Sequence, residues 1–236
     1  MKQNRMVIIL LVVFLVFLPS CTARIDGTLA ADGSAVLTVS MSLGQRIITL
    51  IQSLTAASGQ NSGQLLDGPA ISRSMSDAPG VALAALRNTS PSAIEGQVRI
   101  SQVGEFLSIA NGRGFITFEQ GSAGGKCGIN INLDNGPVLL EMLSSEITEY
   151  LNALMAPIAT GEVLNKNEYI GLITLFYSKA ISDEIASSRI RSTIEFPGTI
   201  TGVKGGTFSG RRATFDIPLL DLLVLETPLV YEVTWR

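Results

Sequence analysis

Histidine is absent from this chain of 236 residues. Without imidazole there is no Ser-His-Asp or Cys-His nucleophile system, no imidazole zinc site and no histidine proton shuttle. Charge is scarce as well: 17 Lys and Arg stand against 20 Asp and Glu, and charged residues make up only 16% of the chain. With no basic excess and no Lys/Arg stripe, a nucleic-acid partner is excluded. Aromatics amount to 6% with a single Trp, so no aromatic-lined sugar cleft is advertised. No repeat of fixed period is visible, which argues against a solenoid. What the chain has in plenty is apolar surface, 46% of its residues. That excludes a disordered or collagen-like polymer and, at this length, favours a single domain.

Residues 1–20 differ from everything after them. Lys2 and Arg5 form a positive start, and Met6 to Leu18 then runs 13 residues without a polar side chain. A bilayer-spanning helix needs about 20 such residues, so this stretch fits a signal peptide better than a permanent span. It ends in Leu18-Pro19-Ser20-Cys21, which resembles a bacterial lipobox. By that resemblance cleavage falls between Ser20 and Cys21, and Cys21 carries diacylglycerol and palmitate-type acyl chains. Pro19 stands where a small or β-branched residue is usual, which bears on processing efficiency. The alternative is an ordinary signal peptidase cut near Cys21-Thr22-Ala23, leaving Cys21 unlipidated. Loss of residues 1–20 removes Lys2 and Arg5 alone among charged groups, so the mature body holds 15 basic and 20 acidic residues.

If Cys21 is acylated, Cys127 has no partner within the chain; a Cys21–Cys127 bond is the residual possibility. Cys127 shares the alternating phase of Ile129, Ile131 and Leu133, which predicts a core thiol silenced by burial.

Strand pattern begins almost at once after Cys21. Ile25 to Leu29 and Ala35 to Val39 flank Asp32-Gly33, a hairpin signal. Residues 21–24 are thus both anchor and tether, reaching about 14 Å at full stretch, and 25–236 form the domain. Leu43, Ile47, Leu50, Ile51 and Leu54 recur at helical spacing over 42–57, with Ser42 as the N-cap. Residues 58–67 read as a Gly/Ser-rich loop and Val81 to Arg87 as a short helix. Strands follow at 96–101, 114–120 and 126–134, with one helical turn near Phe106. A helical hairpin then interrupts them. Its first arm carries Val138, Met142, Leu143, Ile147, Tyr150, Leu151 and Leu154; its second, 169–181, is apolar nearly all round. Ile190 to Phe196 and Leu229 to Trp235 alternate strictly, and Ile217 to Leu223 is an apolar insert between them. The expected fold is α+β: a mainly antiparallel sheet of N- and C-terminal strands that pair with each other, with the helical hairpin inserted in the middle.

No catalytic constellation emerges. Gly121 to Cys127 lacks both the leading Gly and the Ser/Thr of a phosphate loop, and reads as a turn between strands. Gly112-Arg113-Gly114 reads as a hairpin turn. Glu146 and Glu149, Asp183 and Glu184, and Asp216, Asp221 and Glu226 read as solvated faces and caps. No calcium-loop pattern occurs, and neither a metal nor a cofactor is expected. Asn88-Thr89-Ser90 matches a glycosylation sequon, which carries little weight if the lipobox resemblance makes this a bacterial protein.

Ile194-Glu195-Phe196-Pro197-Gly198 with its Gly-rich turns, the closing Tyr231-Glu232-Val233-Thr234-Trp235, and Asp32-Gly33-Ser34 soon after the cysteine together resemble the mycobacterial LppM-type lipoproteins and related lipoproteins of spirochaetes. The likeness touches both ends of the mature chain and leaves the helical middle uncovered. It implies an α+β extracytoplasmic domain with lipid or glycolipid contact, and no catalytic residue.

The function expected is that of a non-enzymatic lipoprotein, extracytoplasmic and held on a bacterial membrane by its N-terminal acyl chains. It binds a lipid or other amphiphile at the membrane surface. The candidate lipid contacts are Leu50 and Leu54 on one helix and Ile170, Ile173, Phe176 and Tyr177 on another. For 169–181 the competing reading is a core helix covered on both sides. Two other functions stay open: a structural or protein-interaction lipoprotein of the envelope, with its partner unspecified, and a hydrolase using carboxylates.

Overall fold

The structure, a computed structural model, describes residues 22–57, 66–111, 114–140 and 145–236. The signal segment, Ser20, Cys21, most of the 58–67 loop and the Gly112-Arg113 turn lie outside the described residues, as do the side chains of Glu146 and Glu149.

The chain opens with the hairpin β1 (Thr22–Leu29) and β2 (Ala35–Ser42). Its turn closes as the sequence requires: the Asp32 carboxylate accepts from the Ser34 amide at 2.9 Å and hydroxyl at 2.6 Å, and Gly33 takes φ +83°. Helices α1 (Gln45–Ala57) and α2 (Gly68–Ser76) follow. Ser42 ends β2 and is not the cap of α1.

Next come β3 (Val81–Ser90), β4 (Ala93–Ile100), α3 (Val103–Asn111), β5 (Ile116–Gly121) and β6 (Gly124–Ile131). The segment Val81 to Arg87, expected helical for its Ala and Leu content, is therefore a strand. Pairing with β4 turns Ala84 and Leu86 into the core and leaves Leu83, Ala85 and Arg87 outside, an alternation that overrides local helix preference. Helix α2 covers this edge: the Ser72 hydroxyl accepts from the Leu86 amide at 2.6 Å, and Asn88 Oδ1 accepts from the Gly68 amide at 3.0 Å.

The expected hairpin is a group of shorter helices: α4 (Gly136–Leu140), α5 (Ser145–Ala153), α6 (Pro157–Thr160), α7 (Lys166–Phe176) and α8 (Lys179–Ser187). Residues 169–181 do not make one helix. At Ser178 the backbone is extended, and its hydroxyl accepts from the Ile181 amide, so it caps a new helix. The chain ends with β7 (Arg189–Glu195), β8 (Ile200–Lys204), β9 (Thr207–Ser209), β10 (Arg212–Pro218), α9 (Leu219–Val224) and β11 (Leu229–Trp235).

The strands form two sheets, ordered β3-β4-β2-β1-β7-β10-β9 and β5-β6-β11-β8. Among the described residues all pairings are antiparallel except β1 with β7. The fold is α+β and mainly antiparallel, with N- and C-terminal strands in its sheets. The N-terminal β1 pairs with β7, the first of the closing strands, whereas the first and last strands, β1 and β11, do not pair with each other. Strand β1 lies beside β7 in the larger sheet, and β11 lies between β6 and β8 in the smaller.

One apolar face of each sheet turns inward. At one end of the molecule Leu37, Val98 and Ile100 of the larger sheet pack with Phe118, Val233 and Trp235 of the smaller. Further along the smaller sheet the same strand phase continues through Ile129, Ile131, Leu229 and Tyr231, which pack instead on α1, α7 and α8. The helices therefore plug one end of a two-sheet sandwich. The outer faces are polar and carry ion pairs such as Lys126–Glu232 at 2.8 Å, Arg191–Asp216 at 3.6 Å and Arg87–Glu95.

Candidate functional site

Strand register shows where the chain enters the fold. Thr22 sits opposite Ser42, the last residue of β2, and beside Arg189, the first of β7. Helix α1 starts just after the first of these, and α8 ends just before the second. The residue after Cys21 is thus hydrogen-bonded into the sheet at its helix-capped end.

A buried carboxylate joins the two helices that meet there. Glu184 of α8 accepts from the Ile47 amide in the first turn of α1 at 3.2 Å, with the Arg46 guanidinium 3.9 Å from its other oxygen. It supplies from another helix the cap that α1 lacks in its own sequence. Gly44 makes room for it, since a Cβ there would lie 1.9 Å from Glu184 Oε1.

Helix α7 is positioned by a capping box between Asn165 and Glu168, with Asn165 Oδ1 accepting from the Glu168 amide at 3.0 Å. Tyr169 is wholly buried and donates its hydroxyl to the Leu154 carbonyl at 3.2 Å; burial raises its phenol pKa. The Tyr177 hydroxyl donates to the Ala153 carbonyl, and burial raises that phenol too. At the helix start Lys166 reaches Asp221 at 2.9 Å, and this hydrogen bond raises the lysine pKa.

The candidate lipid contacts separate under this geometry. Leu50 and Ile173 are buried in one cluster, with Leu54 and Tyr177 half-buried against it. Ile170 is half-buried, whereas Phe176 is 61% exposed. Helices α1 and α7 thus contribute side chains to one hydrophobic cluster, and α8 packs against both. Leu175, part of the same apolar run but not among the candidate lipid contacts, is 77% exposed beside Phe176. The uniform apolar character of 169–181 hides the difference between the buried Ile173 and its exposed neighbours.

A concavity opens at the opposite end of the sandwich, a cleft of about 930 Å³. Its walls come from the β1–β2 turn, the start of α3, the β5–β6 hairpin, Pro197-Gly198 and the chain end at Trp235-Arg236. Glycine permits the close approach: a Cβ at Gly124 would lie 2.1 Å from the Trp235 carbonyl oxygen, and one at Gly198 2.2 Å from that of Arg236. Trp235 is 3% exposed and stacks on Phe196 at 4.9 Å between ring centres. The Ser34 bonds hold the Asp32 carboxyl below its ordinary pKa. Asp32-Gly33, Gly121 to Gly124 and Trp235 are legible in the sequence as turns and a strand end, but nothing in their spacing shows that they converge.

Cys127 lies half-buried on the inner face of β6 with its thiol pushed up to about 11 by burial. Among the described residues no group of three or more His, Cys, Asp or Glu side chains could hold a metal ion, and no helix is long and apolar enough to cross a membrane.

The described residues thus define an α+β body of two packed sheets closed at one end by helices. No family model and no curated protein matches the chain. Among solved structures, this body is similar to the NMR structure of the folded domain of Mycobacterium tuberculosis LppM, with a TM-score of 0.41 and 10% identity over 92% of this chain and 90% of that one. At that identity no residue correspondence is carried over.

Proposed function

We propose that this chain is a non-enzymatic bacterial lipoprotein, held by acyl chains on Cys21, that rests its helix-capped end on the bilayer and contacts lipid or another amphiphile there. The observation that carries this reading is the position of Thr22. Because Thr22 is already paired on both sides within the larger sheet, acyl chains one residue before it would draw to the membrane the end of the body where Thr22 lies.

The same end offers apolar surface for lipid. From Phe176 the chain runs through Tyr177 and Ser178, then the nine residues of α8, about 13 Å long, and then Ser188 to β7, whose first residue pairs with Thr22. Leu175 and Phe176, both large and exposed, lie one helix along the chain from the strand that pairs with Thr22. In water two such side chains are an unrewarded exposure; at the headgroup boundary their burial is favourable. The buried Ile173 and Leu50 are the rigid support beneath them.

The test has two parts. Intact mass of the chain purified from bacterial membranes is expected to show loss of residues 1–20 and a diacylglyceryl adduct that Cys21→Ser abolishes. Native mass spectrometry of the body purified without detergent is expected to show a co-purifying lipid lost in Leu175→Asp with Phe176→Asp. An unmodified Cys21, or a lipid-free body whose vesicle binding ignores both substitutions, contradicts the reading.

A further inference from the structure

We infer that the end of the body holding Thr22 docks on anionic phospholipid headgroups, whose phosphates are received by Arg189 at the end of the larger sheet and by Arg24 and Arg191 on its outer face. The inference rests on the anchored reading above and adds the headgroup class to it.

Strand register sets out the charges at this end. The end rung of the larger sheet holds Ala93, Ser42, Thr22, Arg189 and Pro218, and no carboxylate is among them. Arg189 makes no ion pair among the described residues. On the next outward rung Arg24 of β1 lies directly beside Arg191 of β7, both exposed. Like charges set side by side on adjoining strands, about 4.8 Å apart, repel each other, and an anion received between them removes that cost.

The nearby carboxylates leave these arginines available. Asp26 bonds Arg24 from one rung further into the body, Asp216 stands 3.6 Å from Arg191, and exposed pairs of this kind are worth little in water. Arg46, in the first turn of α1, is exposed, whereas its partner Glu184 is buried and accepts from the Ile47 amide. Arg87 and Glu95 complete the second rung. Even with Asp26 and Glu184 counted, five arginines on these rungs and the first turn of α1 face four carboxylates, in a mature body of 15 basic and 20 acidic residues. Positive charge is thus gathered where the chain enters from Cys21. A surface of anionic phosphates matches it, and guanidinium takes phosphate through paired hydrogen bonds. Arg24 and Arg191 lie two residues, about 7 Å, from the end rung, a distance that an arginine stem spans.

The test uses the lipidated full chain in vesicles of phosphatidylcholine and phosphatidylglycerol in equal parts, with a trace of one lipid or the other spin-labelled near the headgroup end of an acyl chain. The spectra are expected to show phosphatidylglycerol immobilised at least about twofold more than phosphatidylcholine. High salt abolishes the difference, as does Arg24→Gln with Arg191→Gln, whereas Arg24→Lys with Arg191→Lys keeps it. Arg211→Gln with Arg212→Gln, the same charge change at the other end of β7 and β10, also keeps it. These four side chains are exposed, and Arg189→Gln alone, which is expected to lower the preference, keeps the test open should the Arg24–Arg191 variant fail to fold. Equal immobilisation of the two lipids by the native chain, a preference that survives both substitutions of the docking arginines, an equal loss in the Arg211–Arg212 variant, or loss to inorganic phosphate at constant ionic strength overturns the inference while the anchored reading stands. A chain that does not float with the vesicles contradicts the anchored reading itself, and this inference falls with it.

Discussion

Glu184 shows how much of this fold hangs on single side chains. Its carboxylate caps a helix to which it does not belong, accepting from the Ile47 amide through space left by Gly44. Glu184→Ala orphans that amide and is expected to lower unfolding free energy by about 1–3 kcal/mol in urea titration. Glu184→Gln, which keeps an acceptor, is expected to lose less. Cys127 makes a second prediction at this scale. With its thiol raised from 9.0 to about 11, the folded protein holds this proton across a pH range in which the unfolded chain has released it. Stability attributable to Cys127 is therefore intact below pH 9 and falls as pH rises from 9 to 11. Cys127→Ala is expected to flatten that part of the pH–stability curve, and native Cys127 to resist alkylation at pH 8 until the protein unfolds. The core placement of Cys127 is legible from its phase with Ile129 and Ile131. The reach of Glu184 is not, because 137 positions separate it from Ile47 and only tertiary packing brings them together.

Among the elements, α7 combines support and contact within one turn. Ile173 is fully buried while Leu175 and Phe176 are exposed. Ile173→Ala is expected to destabilise by about 2–5 kcal/mol, and Phe176→Ala by no more than about 0.5 kcal/mol in the same denaturant series. An equal loss from both would place Phe176 in the core. Asn165→Ala, which breaks the capping box, is expected to lose about 1 kcal/mol. Elements with strict alternation are the readable ones: the sequence pattern predicts β11 from Leu229 to Trp235, and the structure agrees. The hairpin around Asp32-Gly33 is readable because its turn chemistry is local. Strand β3 is not, since Val81-Ala82-Leu83-Ala84-Ala85-Leu86-Arg87 has helix-forming composition and becomes a strand by pairing with β4. The α7–α8 break escapes for the opposite reason: Ser178 interrupts an apolar run with a cap that periodicity does not see.

At the scale of the whole molecule, alternation shows that β1 and β11 are strands but not which partners they take. A period of two residues marks a face, and sheet membership follows only from how the faces meet. The two sheets and their helical plug give the body two unlike ends. One end holds Thr22, paired on both sides within the larger sheet; the other opens a cleft around Trp235. The central claim is that the first end lies on the bilayer. Depth-dependent fluorescence quenching tests it in the lipidated chain, reconstituted in vesicles of brominated phosphatidylcholine and carrying Cys127→Ser. A fluorophore is placed through Phe176→Cys in one sample and Ser122→Cys in the other. The account predicts quenching by bromines in the acyl chains at position 176 and none at 122, on the cleft rim. Equal quenching at the two positions, or quenching at 122 alone, would contradict it.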